Sequence, residues 1–136
     1  MTAAGALFYS SNTKRFLFLL RNNTKTRNTW GLPGGKLNHN ENTIVGLNRE
    51  LIEELGSYPE ILKYIPLETF TSIDNEFKYH SFIFIIENEF IPILNDEHDG
   101  YCWTKLDKFP KPLHPGLFNC INLSVIKEKI KTIENM

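Results

Sequence analysis

Glu50, Glu53 and Glu54 lie within five residues of one another in the run Arg49-Glu50-Leu51-Ile52-Glu53-Glu54-Leu55-Gly56. At positions i, i+3 and i+4 of a helix they project from one face, where like charges repel. Clustered carboxylates in a partly buried place raise one another's pKa unless positive charge is supplied. A hard divalent cation supplies it. Mg²⁺ takes a few carboxylates together with substrate phosphate oxygens, and Mn²⁺ accepts the same donors. Glutamate is also a strong helix former, and the run taken alone reads as an ordinary solvated face. Arg49 and the segment before the helix shift that balance.

The element that must carry these carboxylates is a helix over Asn42–Leu55. Ile44, Leu47, Leu51 and Leu55 recur at helical spacing on one stripe, and Gly56 is a natural stop. Glu50 and Glu54 border that stripe. Val45 and Ile52 lie on another side, which predicts a helix packed between two layers. Before it, Trp30–Gly35 holds too much Gly and Pro for a helix, and the Gly34-Gly35 pair lets backbone approach a ligand closely. Apolar runs at Ala3–Tyr9 and Phe16–Leu20, joined by a polar turn, read as strands. Arg21–Thr29 reads as a polar, basic loop. Ile61–Phe70, Phe77–Ile86 and Tyr101–Trp103 read as further strands, with Ile83–Ile86 continuously apolar as in an interior strand. Phe109–Pro115 holds three prolines and reads as loop, and Leu117–Ile133 reads as one closing helix. Strands, helix, strands, helix predict an α/β sandwich on a mixed sheet, in one domain over residues 1–136.

Gly35, five residues, Glu41, seven residues, then Arg49-Glu50-Leu51-Ile52-Glu53-Glu54-Leu55-Gly56 resembles the Nudix box, GX5EX7REUXEEXGU, where U is bulky and aliphatic. Every defining position matches except the last, where Ser57 stands in place of the aliphatic residue. So many fixed positions are far more specific than a short glycine motif. The resemblance implies the Nudix-type α/β/α sandwich and a metal-dependent hydrolase of a nucleoside diphosphate linked to another group X. It implies that Glu50, Glu53 and Glu54 bind Mg²⁺ (Mn²⁺ as substitute), with one of them, or a bound hydroxide, as base. Gly35 would offer its carbonyl to the same metal. Arg49 would orient and neutralise the neighbouring glutamates, and Glu41 would support the helix.

Outside the box, Lys36 follows the glycine pair, as in MutT-like members, and is either a phosphate contact or a solvent-exposed lysine. Arg21 ends the second strand where such proteins place a phosphate-binding arginine; Arg15 and Arg27 compete with it. In Asn95–Trp103 the resemblance implies a further acidic metal ligand: Glu97 first, Asp96 and Asp99 behind it. His98 is a secondary candidate, and a polar loop histidine is its plainer reading. His39, His80 and His114 show no metal-ligand spacing. Trp30, Phe77, Tyr79 and Asn119 could line a base pocket, although core packing explains any single aromatic.

The net charge of −1 argues against a broad nucleic-acid surface, although the basic stretch Lys25–Arg27 keeps an RNA 5′-end substrate in view. No apolar stretch reaches membrane-spanning length. Cys102 and Cys120 read as reduced thiols in a cytoplasmic protein. Thr71–Asn75 lacks the proline of ADP-ribose hydrolases, and Ile73–Asn75 lacks the tyrosine of diadenosine polyphosphate hydrolases. With little beyond the box, the chain is expected to cleave a (deoxy)nucleoside triphosphate, such as dGTP or its oxidised form, to monophosphate and pyrophosphate. A nucleotide-sugar or ADP-ribose pyrophosphatase is the enzymatic alternative, and a nucleotide-binding domain without turnover is the rival of another class. A homodimer is compatible with the resemblance, with no interface legible.

Overall fold

A computed structural model describes residues 1–23 and 27–136; Lys25 of the basic stretch lies outside them. Among these residues the chain order is β1 (Thr2–Ser10), β2 (Arg15–Arg21), β3 (Trp30–Gly31), β4 (Gly34–Lys36), α1 (Thr43–Leu55), β5 (Lys63–Thr71), β6 (Lys78–Ile86), β7 (His98–Thr104), α2 (Pro115–Ile121) and α3 (Ser124–Glu134). The mixed α/β architecture and most of the expected elements are present.

β1 runs parallel to β6 along its whole length, from Thr2 opposite Lys78 to Ser10 opposite Ile86. β5 closes that edge antiparallel to β6. On the other side β1 meets β2 only beside their turn, at Tyr9–Phe16 and Ser10–Arg15. The two strands then part. The wedge between them is filled by the segment expected only to be non-helical: β3 pairs with β2 and β4 pairs with β1. β7 covers the far side of β2.

Side-chain alternation splits the core into two layers. Leu7, Tyr9, Phe16, Phe18, Ile83 and Ile85 face α2 and α3. Ala4, Ala6, Phe8, Leu17, Leu19, Phe82, Phe84 and Ile86 face α1 through Leu47, Leu51 and Leu55. Both sheet faces are covered there, which is why the central strands read as unbroken apolar runs.

Two expectations need correction. Helix α1 is not packed between layers: Val45 and Ile52 are exposed, and only the Leu47–Leu51–Leu55 side is buried. The closing helix is two helices. Its apolar positions step by five between Ile121 and Ile126, which breaks the 3.6-residue period. The chain ends α2 at the cap Asn122 and restarts α3 from the cap Leu123. Ser57 is exposed, and Tyr58 next to it packs edge-on against Phe8. Cys102 and Cys120 are free thiols.

Candidate active site

Helix α1 starts where Asn42 caps it, its side chain accepting from the N–H groups of Ile44 (3.0 Å) and Val45 (3.3 Å). This fixes its rotation and so the direction of every side chain after it. Leu47, Leu51 and Glu54 stand at i, i+4 and i+7, so Glu54 lies on the buried stripe itself and is 4% exposed. Glu53 turns outward, and Glu50 lies between.

Each glutamate therefore has a different environment. Glu54 Oε1 accepts from the Gly34 N–H at 2.6 Å. That N–H is available because the β1–β4 ladder bonds fall at Leu37–Thr2 and Ala6–Pro33, leaving Gly34 at a non-bonded position opposite Gly5. Gly34 also adopts φ +146°, and a Cβ there would sit 2.1 Å from the Ala4 carbonyl oxygen, so only glycine fits. Glu50 is pressed against Gly35: a Cβ on Gly35 would lie 2.5 Å from Glu50 Oε2. Glu53 is mostly solvated and reaches Arg49 at 3.7 Å.

Arg49 is the hub of the outer side. It clamps Glu41 with two bonds, Nε to Oε2 at 3.1 Å and Nη2 to Oε1 at 3.0 Å, and reaches Glu50 Oε1 at 3.0 Å. It also donates to the Lys36 carbonyl at 3.1 Å, fastening the strand β4 to the helix. Glu41 in turn accepts from the Asn38 N–H at 2.8 Å, and its carboxyl is held below the usual range by Arg49. Gly46 leaves room for this clamp, since a Cβ there would meet Glu41 Oε1 at 2.6 Å. Sequence reading passed over Gly46; the signal was a buried glycine inside a well-formed helix, which costs about 1 kcal/mol unless something needs the space.

The buried end of the site is electrostatically unbalanced. Burial pushes the Glu54 carboxyl up to about 8, against the opposing Gly34 hydrogen bond, with Glu97 and Glu50 adding repulsion and Arg21 relieving some of it. His98 lies below it, 8% exposed, with Nδ1 at 3.4 Å from Glu54 Oε2. Burial holds this imidazole down to about 4, so the contact is between two neutral groups at neutral pH and not an ion pair. His98 Nδ1 is buried without a hydrogen-bond partner. The plain reading of His98 as a loop residue is thus corrected: it begins β7, paired with Arg21 across the β2–β7 bulge.

Glu97 is exposed and within electrostatic reach of Glu54. Asp96 and Asp99 hold Asn22 instead, which donates to the Asp96 carbonyl and to Asp99 Oδ1 at 2.8 Å each. Arg21 is half-buried and close enough to act on Glu54, His98 and His114, whereas Arg15 is committed to Glu89 on the far side. Arg27, Lys36 and Asn119 are exposed, and His39 stands in the exposed loop before α1.

The donors suit a hard divalent cation in kind: carboxylates and backbone oxygen, with a buried carboxyl that the Gly34 N–H and Arg21 stabilise only in part. Among the described residues no three His, Cys, Asp or Glu side chains converge as they stand, because Glu53 faces solvent and Arg49 occupies Glu50.

The model of the NUDIX domain family matches residues 1–123, and the chain belongs to this family. It is a Nudix hydrolase of the nucleotide pyrophosphatase kind, in a family that generally uses divalent cations. A MutT NUDIX hydrolase from Burkholderia pseudomallei is 25% identical, with 90% of this chain and 96% of that one covered and a TM-score of 0.70. A MutT protein from Methanosarcina mazei Go1 is 25% identical, with 100% and 96% covered and a TM-score of 0.71. The NUDIX domain of Shewanella oneidensis NrtR, solved with ADP ribose, is 17% identical, with 98% and 88% covered and a TM-score of 0.70; it shares the fold. Curated protein sequences give no match. These relatives define the class of chemistry and leave the group X open. No helix among the described residues is long and apolar enough to cross a membrane.

Proposed function

We propose that this chain is a Mg²⁺-dependent MutT-like pyrophosphohydrolase that converts a (deoxy)nucleoside triphosphate to its monophosphate and pyrophosphate, acting in the cytoplasm as one domain over residues 1–136. The observation that carries this reading is Glu54, a buried carboxyl that burial and the neighbouring Glu97 and Glu50 hold up at about 8 despite the Gly34 N–H and Arg21, beside Gly34-Gly35 and the Arg49 clamp. Such a place is costly unless a cation and an anionic substrate complete it.

Gly35, Glu50, Glu53, Glu54 and Glu97 would hold the metal. A bound divalent cation supplies charge neutralisation for the phosphates and a lowered pKa for water. Arg49 positions Glu50 and Glu53 and fastens β4 to α1. Arg21 and Lys36 bind phosphate oxygens. Water adds across the anhydride bridge between the α and β phosphorus atoms, that P–O bond breaks, and a carboxylate of the cluster accepts the proton from water. Mn²⁺ substitutes for Mg²⁺ because it accepts the same oxygen donors.

The test is a substrate panel with Mg²⁺: dNTPs, 8-oxo-dGTP, ADP-ribose, GDP-mannose, dinucleotides and triphosphorylated RNA, with phosphate and pyrophosphate measured separately. Turnover of triphosphates with pyrophosphate release is expected. Faster turnover of ADP-ribose or a nucleotide sugar would replace this reading with the nucleotide-sugar one.

A further inference from the structure

His98 has no part in the chemistry above, yet the chain on both sides of it is held in place. It opens β7 where the β2–β7 register shifts between Leu20 and Arg21, so it stands opposite Arg21 in place of Asp99. Asn22 ties the flanking residues. Its N–H donates to the Glu97 carbonyl at 3.2 Å, and its side chain donates to the Asp96 carbonyl and to Asp99 Oδ1 at 2.8 Å each. Asn95 Oδ1 braces the turn before β7, accepting from the Glu97 N–H at 3.1 Å. Asp99 is thereby kept at the surface and His98 is turned inward, its side chain 5% exposed.

The inward ring meets Glu54. Nδ1 lies 3.4 Å from Glu54 Oε2. That is about 0.5 Å beyond an ordinary N–H···O separation. Nδ1 has no hydrogen-bond partner as the chain stands. A buried ring nitrogen left unpaired costs stability that an apolar side chain of similar size would not cost. The other oxygen, Oε1, already accepts from the Gly34 N–H at 2.6 Å. One carboxyl group thus has a nitrogen of β4 on one oxygen and a nitrogen of β7 beside the other.

This arrangement suits a carboxylate that must face a cation. An ionised carboxylate only accepts, and its two oxygens offer about four acceptor positions, so one donor on each leaves lone pairs for a metal. An imidazole beside a divalent cation stays uncharged, because like charges repel. It can therefore donate an N–H without competing with the cation for Glu54, as a lysine or arginine would. Bonds of this kind are commonly long before the reacting groups assemble and tighten when they do.

We propose that His98 is a positioning residue for the metal site: its Nδ1–H donates to Glu54 Oε2, so that β4 and β7 each hold one oxygen of the carboxylate and set the angle at which it meets the cation. Two donors on separate strands stop the carboxylate from turning about its last bond, which one donor alone leaves free. His98 acts through Glu54 and not on the substrate. The inference rests on the reading of Glu54 as a metal ligand and adds the group that orients it.

The test is Mn²⁺ binding to the protein without nucleotide, read from the electron paramagnetic resonance of the free ion. Asn carries its amide nitrogen as many bonds from the backbone as Nδ1, and Gln as many as Nε2. His98→Leu and His98→Gln should weaken Mn²⁺ binding about tenfold or more, whereas His98→Asn should stay within about threefold of wild type. The Mg²⁺ concentration that gives half-maximal dNTP turnover should shift by the same factors. Mn²⁺ binding by His98→Leu within about twofold of wild type overturns the inference, and so do equal affinities in the Asn and Gln variants, a comparison that decides the matter if His98→Leu does not fold. A metal affinity that merely follows the melting temperature in chelator across the three variants marks a structural role and overturns it too. Glu54→Gln separates the two claims. If it weakens Mn²⁺ binding while the His98 variants do not, Glu54 stays a ligand and the inference fails. If it binds Mn²⁺ as wild type does, the reading of Glu54 as a ligand fails, and the inference with it.

Discussion

Replacing Glu54 by Gln tests whether the buried carboxyl is the source of the site's demand for a cation. Gln keeps the shape, and its oxygen can still accept from the Gly34 N–H, but it cannot ionise. In the metal-free protein the Glu54 carboxyl is raised by burial from 4.5 to about 8. The folded chain therefore holds this proton between those pH values while the unfolded chain has lost it. Stability is fully present below pH 4.5 and declines as pH rises through 8. His98 works oppositely: lowered by burial from 6.5 to about 4, it adds stability as pH rises from 4 to 6.5. The two slopes offset each other up to pH 6.5. Between pH 6.5 and 8 Glu54 acts alone, over one and a half pH units at about 1.36 kcal/mol each, or about 2 kcal/mol. Urea unfolding in chelator across pH 5 to 9 measures this directly. Wild type should lose about 2 kcal/mol from pH 6.5 to 8, and Glu54→Gln should lose none of it. Mg²⁺ at pH 8 should restore wild type and leave the variant unmoved. A flat metal-free wild-type profile above pH 6.5, or a variant that keeps the fall, refutes the assignment.

Other consequences follow from the same geometry. Glu53→Gln should lower turnover by orders of magnitude with an unchanged helical circular-dichroism signal, since Glu53 is mostly solvated; a near-normal rate removes it from the metal site. Arg49→Lys loses the two-bond clamp on Glu41 and should cost roughly 10–100-fold in kcat or metal affinity, read from Mg²⁺ titrations of rate. Gly35→Ala sets a methyl 2.5 Å from Glu50 Oε2, so Glu50 must move. That variant should fold and lose activity at least about tenfold, and activity within twofold of wild type would place Glu50 outside the reacting centre.

Apolar periodicity made the helix and its Gly56 stop readable from sequence, and the box spacing singled out the three glutamates; Asn42, read as the first helical residue, is instead the cap. The distinct environments of the glutamates were readable only in part. Glu54 sits at i+7 from Leu47, which marks it as the buried one, but its Gly34 donor comes from β4. β4 exists because β1 and β2 part, and that is a tertiary event with no local signature. Trp30–Gly35 likewise could be read as non-helical and not as two short strands. Val45 and Ile52 misled because an exposed apolar residue obeys no rule of burial. The break at Asn122 was present as a five-residue step in apolar spacing. The shift of the β5–β6 register between Pro66 and Glu68 left no mark in the sequence, since one extra residue in a strand is visible only against its partner's register.

Product identification tests the central claim most directly. Purified protein with Mg²⁺ and dGTP, resolved by chromatography with separate assays for phosphate and pyrophosphate, should give dGMP and pyrophosphate in equal amounts. It should give none in chelator and almost none with Glu54→Gln. Release of inorganic phosphate with dGDP, or equal turnover without a divalent cation, would contradict the account.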